Sequence, residues 1–125
     1  MIIGIGVDLE EVSRIRDAIS RHGQRFLDRV FTEGEIAYVQ DKANPYERYA
    51  ARFAAKEAVM KALGCGWAQG VRWRDIEVIN EENGRPTLRL SGVAEEIARQ
   101  KNCRTPHVSL SHTKNNAIAQ VVLEG

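Results

Sequence analysis

Only two cysteines, Cys65 and Cys103, occur in 125 residues. They cannot staple a fold of this size, they lack zinc-ligand spacing, and a reducing cytoplasm is their simplest setting. Nor does either charge dominate: 18 Lys and Arg face 17 Asp and Glu, a formal net charge of +1. Binding nucleic acid through its phosphates uses a basic surplus, so no such partner is expected. No apolar run approaches the roughly 20 residues that cross a bilayer. No basic segment leading into a long apolar one marks a secretory signal either. A dinucleotide fingerprint is missing too, because Asp8-Leu9 stands where the glycine after Gly4-x-Gly6 belongs. There is no P-loop, and no serine–histidine–acid order can be argued.

What is present suits a globular domain: 43% hydrophobic and 28% charged residues. Chains of about 150 residues bury roughly two-thirds of their unfolded surface, so a real core is possible. No repeat or linker divides the chain, and residues 1–125 are expected to form a single domain. The opening Met1–Val7 is apolar, β-branched and glycine-punctuated, and predicts a buried strand ending at Asp8. From Leu9 the period changes: Val12, Ile15 and Ile19 line one face of a helix that stops at Gly23. A short helix over 24–30 follows. Thr32-Glu33-Gly34-Glu35 has the spacing of a capping box for a third helix, which Ala43-Asn44-Pro45 breaks. The stretch Glu47–Leu63 has no glycine or proline and much alanine, and Gly64 stands at its end. It is the strongest helix signal in the chain.

Cys65–Trp73 predicts a loop. Alternation over 76–79 and 86–90 around Asn83-Gly84 predicts a hairpin. Ser91 caps a helix over about 93–100 in this reading, and 107–112 and 117–123 form two last strands. Helices and antiparallel strands without βαβ alternation make an α+β fold, with an antiparallel sheet packed on the long central helix.

Chemistry concentrates in a few places. Projected at 100° per residue, Tyr49, Phe53, Met60 and Leu63 share an arc of the central helix with Val59 at its margin, and Lys56 falls inside that arc. Glu57 and Lys61 sit beyond the other margin, among Ala50, Ala54 and Gly64. Their i,i+4 order suits a surface ion pair. It equally suits a cation site at Glu57 and an anion site at Lys61, on a wall of alanines that admits a ligand. Asp8 is either a helix N-cap or a carboxylate projected into a site. Together with a second carboxylate, phosphate oxygens and waters it would complete an octahedral Mg²⁺ shell. His112, near the end of Ser109-Leu110-Ser111-His112-Thr113, is a packed or edge histidine unless it has a catalytic part. Arg14, Arg21 and Arg25 share the face of the first helix opposite Val12, Ile15 and Ile19. That face is either merely solvated or a surface that steers one acidic partner.

Three segments together resemble a known family. Gly4-Ile5-Gly6-Val7-Asp8, Arg52-Phe53-Ala54-Ala55-Lys56-Glu57-Ala58-Val59-Met60-Lys61-Ala62-Leu63-Gly64 and Ser109-Leu110-Ser111-His112-Thr113 look like holo-[acyl-carrier-protein] synthase, the small class of 4'-phosphopantetheinyl transferases. The resemblance runs end to end and includes Asn83-Gly84-Arg85-Pro86. It implies transfer of phosphopantetheine from coenzyme A to a serine of apo acyl carrier protein, in fatty-acid or polyketide synthesis, with release of adenosine 3',5'-bisphosphate. By the same resemblance Asp8 and Glu57 would hold Mg²⁺, and Lys61 would stand near the pyrophosphate. Arg52, Gly64, Pro86, His112 and Thr113 would hold the nucleotide, while Arg14 and Arg21 would meet the carrier. Catalysis would fall to Glu57, Lys61 and Asp8, with a water held by Glu57 or the metal as base. The family also implies a homotrimer with active sites between subunits. Where members often carry basic residues before the signature helix, this chain has only Lys42 and Arg48.

Overall fold

The computed structural model describes residues 1–125. Strand β1 (Ile2–Glu11) leads into helices α1 (Val12–His22), α2 (Gln24–Val30), α3 (Glu33–Gln40) and α4 (Pro45–Leu63). The hairpin β2 (Ile76–Asn80) and β3 (Pro86–Leu90) precedes α5 (Gly92–Gln100), and β4 (Thr105–His112) and β5 (Asn116–Glu124) close the chain. Of two short 3₁₀ turns, Trp67–Gln69 lies in the segment expected as loop and Trp73–Asp75 begins at its last residue. The α+β expectation holds: a three-stranded antiparallel sheet in the order β1-β5-β4 packs on α4, and β2-β3 stands apart as a two-stranded hairpin.

Local signals placed most boundaries. Thr32 caps α3 in a reciprocal box, its hydroxyl accepting from the Glu35 amide at 3.2 Å while the Glu35 carboxylate accepts from the Thr32 amide at 2.9 Å. Helix α4 starts two residues before the expected Glu47, because Pro45 fits the first turn, where its missing N–H costs nothing. Ser91 does stand at the N-cap of α5 but makes no side-chain cap. Its hydroxyl donates instead to the Asp75 carbonyl at 3.4 Å.

Two expectations about β1 fail. The strand does not end at Asp8 but runs on to Glu11, paired with β5 from Ile2↔Glu124 to Glu11↔Asn116. Asp8 is therefore a mid-strand residue, and Glu11, with no side-chain cap, precedes α1. Nor is the strand buried on both faces. Ile5, Val7 and Leu9 are 65%, 53% and 64% exposed, while the alternate residues face α4.

Gly4 and Gly6 explain how closely β1 lies against α4. A Cβ on Gly4 would collide with the Ala62 carbonyl, and one on Gly6 with the Ala58 carbonyl and the Ala62 amide. Ala50, Ala54, Ala58 and Ala62 are buried with them. Ala58 and Ala62, one turn apart on α4, are where the strand comes closest. Small side chains on both elements let the backbones approach, and the core of 25 residues forms around that contact.

The other unusual residue of α4 is structural. Lys56 is wholly buried, and its Nζ donates to Glu35 Oε1 at 2.8 Å, to the Trp73 carbonyl at 3.1 Å and to the Ile76 carbonyl. Glu35 Oε2 accepts from the Val78 amide at 2.9 Å. Each polar atom of this pair has a partner, which is the condition on which a buried ion pair is tolerated.

Candidate active site

The period-two geometry of β1 puts Asp8 and Glu10 on the face that Gly4 and Gly6 share, against α4. The Asp8 side chain is 11% exposed, and its Oδ1 accepts from Lys61 Nζ at 3.1 Å. Lys61 Nζ also donates to the Val7 carbonyl at 3.1 Å. The expected helical pair between Glu57 and Lys61 is thus replaced by a cross-element pair between Lys61 and Asp8, because mid-strand Asp8 is held against the same helix.

Negative charge is in excess here. Asp8 Oδ2 is buried and receives no hydrogen bond from an N–H or hydroxyl group. Burial, then a side-chain hydrogen bond to Asp8 and the Asp8 charge, pushes Glu10 up to about 8, with the Arg14 guanidinium opposing. Glu57 is raised as well, first by burial and then by the Asp8 charge, against the pull of Lys61. Oxygen donors from three neighbouring carboxylates, Asp8, Glu10 and Glu57, suit a hard cation and not a soft one. No three side chains close into a ready-made cage. An ion bound here would draw part of its shell from waters or ligand oxygens. Glu10 was missed in the sequence, although its place two residues beyond Asp8 is the signal once the strand is known to continue.

The other predicted residues are distributed around α4. Gly64 ends the helix one turn beyond Lys61, its amide bonded to the Lys61 carbonyl at 3.1 Å. Arg52 is 3% exposed, donates from Nη2 to Asn80 Oδ1, and lies 4.9 Å from the ring centre of Tyr38. Pro86 opens β3 directly opposite Asn80. His112 ends β4, where its Nδ1 meets Glu47 Oε1 of the first turn of α4 at 2.9 Å. Thr113 shapes the following turn, its amide donating to the Asn116 carbonyl at 2.8 Å. Across the sheet Glu10, Ala117 and His112 form one row. The His112 backbone is thus two strand spacings, about 10 Å, from that of Glu10. Arg14, Arg21 and Arg25 are all exposed, and Arg14 is near enough to Glu10 to oppose its rise.

Residues 4–122 match the 4'-phosphopantetheinyl transferase superfamily. The chain belongs to this family. Its relatives include proteins named holo-[acyl-carrier-protein] synthase from Solibacter usitatus, 55% identical over 99% of both chains, and from Koribacter versatilis, 52% identical over 99% of both. Among solved structures, holo-[acyl-carrier-protein] synthase from Neisseria meningitidis superposes with a TM-score of 0.90 at 30% identity over 100% of both chains. The Helicobacter pylori protein of that name, solved in complex with coenzyme A, superposes at 0.84 with 32% identity over 96% of this chain and 99% of its own. The resemblance read from three segments holds along the whole chain.

Proposed function

We propose that this chain, as one transferase domain spanning 1–125, moves 4'-phosphopantetheine from coenzyme A to a serine of apo acyl carrier protein and releases adenosine 3',5'-bisphosphate. Membership of the family supports the reaction. The observation that carries the site is the nearly buried Asp8 carboxylate, paired with Lys61 and crowded by Glu10 and Glu57.

In the step itself the carrier serine oxygen bonds to the phosphorus that bears pantetheine. The P–O bond to the adenosine bisphosphate breaks, and the serine proton passes to a base. Such transfers need alignment and charge neutralisation more than covalent help from the protein. Mg²⁺ bound by Asp8 and Glu57 would supply Lewis-acid neutralisation of the diphosphate. Lys61 Nζ, held beside Asp8, stabilises charge on the departing phosphate. A water held by Glu57 takes the serine proton, with Asp8 as the second choice. Because the nucleophile arrives on the partner, no serine–histidine pair is needed in this chain.

Arg52, Gly64, Pro86, His112 and Thr113 hold the nucleotide in this reading, and the exposed Arg14 and Arg21 meet the acidic carrier of fatty-acid or polyketide synthesis. The His112 backbone is about 10 Å across the sheet from that of Glu10. That separation favours a site completed by a neighbouring subunit. The exposed Ile5, Val7, Leu9 and Ile118 on the outer face of the sheet support a homotrimer that covers them. No helix is long and apolar enough to cross a membrane, and the free cysteines suit a reducing cytoplasm.

Mass spectrometry of apo carrier protein incubated with coenzyme A tests the proposal. The expected result is one added phosphopantetheine with Mg²⁺ present and none after chelation. Coenzyme A cleavage without carrier would instead make the chain a hydrolase using water on the same carboxylates.

A further inference from the structure

Glu47 stands in the first turn of α4 with its side chain 18% exposed, and its one ion-pair partner is a histidine 65 residues further along the chain. Arg48, its neighbour in sequence, turns instead to the Ala43 carbonyl at 3.1 Å. His112, the partner, is the last residue of β4. Its backbone is set opposite Ala117 of β5, and the Thr113 amide closes the next turn by donating to the Asn116 carbonyl at 2.8 Å. The ring is held from the other side, Nδ1 meeting Glu47 Oε1 at 2.9 Å. A carboxylate only accepts, so Nδ1 carries the proton of that bond. The His112 side chain is 29% exposed and makes no other hydrogen bond within the chain. Nε2 is left to meet a ligand.

Two torsions set where an imidazole points, and beside an exposed turn several settings are open to it. A bond from Nδ1 selects one of them and settles which nitrogen faces outward, as a carboxylate behind a metal-ligating histidine does. Charge alone gives Glu47 the wrong sign for a binding site, because a carboxylate near an anionic nucleotide repels it. The pairing with His112 gives it a use that outweighs that repulsion: a ring already aligned loses less freedom when a ligand arrives.

We propose that Glu47 is a positioning residue, which through Nδ1 holds the His112 ring in the orientation that turns Nε2 to the nucleotide of coenzyme A. This rests on the transferase reading above, in which His112 holds that nucleotide. Glu47 itself touches no substrate and acts only through the ring.

The test uses the intact protein with apo carrier and Mg²⁺. It reads KM and kcat for coenzyme A, calorimetric binding of adenosine 3',5'-bisphosphate, and a thermal melt. Glu47→Ala should raise KM for coenzyme A about fivefold, near the net worth of one hydrogen bond. It should weaken the bisphosphate by a similar factor and leave kcat nearly unchanged. A carboxylate that merely repelled the nucleotide would give the opposite sign, and one that merely tied α4 to β4 would lower the melting temperature without moving KM. Glu47→Gln, which keeps an acceptor for the Nδ1 proton, should restore most of the affinity. His112→Ala should lose at least as much as Glu47→Ala, and combining the two should raise KM no further. An unchanged or lower KM in Glu47→Ala, a Gln variant as impaired as Ala, or a further rise in the double variant would overturn the proposal. Absence of transfer by wild type would overturn the functional reading and this proposal with it.

Discussion

Lys61 Nζ stands 3.1 Å from Asp8 Oδ1, across the contact between α4 and β1, and forms no pair with Glu57 one turn back along its own helix. That choice of partner ties the positive end of the site to its most buried carboxylate. It leaves Glu57 raised, first by its partial burial and then by the Asp8 charge. A cation that engaged Asp8 and Glu57 would relieve that repulsion and leave the Lys61 charge for an anionic ligand.

Glu57→Ala is expected to abolish transfer without unfolding the protein, because the side chain is only partly buried and holds no hydrogen bond in the core. Turnover on apo carrier together with a thermal melt checks both halves. Near-normal turnover in Mg²⁺ would remove Glu57 from the metal site. Lys61→Met should cut turnover by about a hundredfold, with any loss of stability arising from the nearly buried Asp8 carboxylate it leaves without its cation.

Gly6→Ala tests the close approach of strand and helix. The new methyl meets the Ala58 carbonyl and lies 2.9 Å from the Ala62 amide, and both are fixed backbone. A loss of about 1–3 kcal/mol is expected from urea unfolding. An unchanged midpoint would mean that the two elements can separate freely.

The Lys56–Glu35 pair should behave as one unit. Removing either partner alone strands a charge and should destabilise by about 3–5 kcal/mol. The double change Lys56→Met, Glu35→Gln should cost clearly less than the sum of the singles. Additive losses in a double-mutant cycle would show that the two groups do not interact.

Glu10 carries a pH signature. Its carboxyl titrates at about 8 in the folded protein against 4.5 ordinarily. Between those values the folded state binds the extra proton. The stability so gained is full below about 4.5 and is lost as pH rises through about 8. In the presence of a chelator, the melting temperature should therefore fall from about pH 5 to about pH 8. Glu10→Gln should flatten that slope, although Glu57, raised in the same direction, keeps part of it. Parallel curves for the two proteins would exclude Glu10 as the source.

Arg14→Glu should raise the KM for carrier protein at low salt with little change in kcat, because a rim charge acts mainly on encounter. An unchanged KM under those conditions would count against the α1 face as the docking surface.

Much of the fold was legible because its signals are local. Thr32 and Glu35 announced α3 by a spacing that closes within one turn, and the glycine-free run of α4 needs no distant partner to be helical. Residues 24–30 are helical as read, and Asn83-Gly84 turns the hairpin where expected. The continuation of β1 through Asp8 to Glu11 was hidden, since Val12, Ile15 and Ile19 give a helical period whose first turn overlaps the strand's last residues. Pairing with β5 decided the matter, setting Leu9, Glu10 and Glu11 opposite Ile118, Ala117 and Asn116. Missing that continuation also hid Glu10.

The amino-acid sequence alone determined the α+β class, the helix that carries Glu57 and Lys61, and the small residues at 4, 6, 58 and 62, because helix propensity, capping and side-chain size act over a few neighbouring positions. Only the tertiary structure decided that those small residues meet one another. It also decided that Lys61 turns to Asp8. Charge partners across elements depend on which backbones lie side by side, and that is settled by the packing of the whole core around α4.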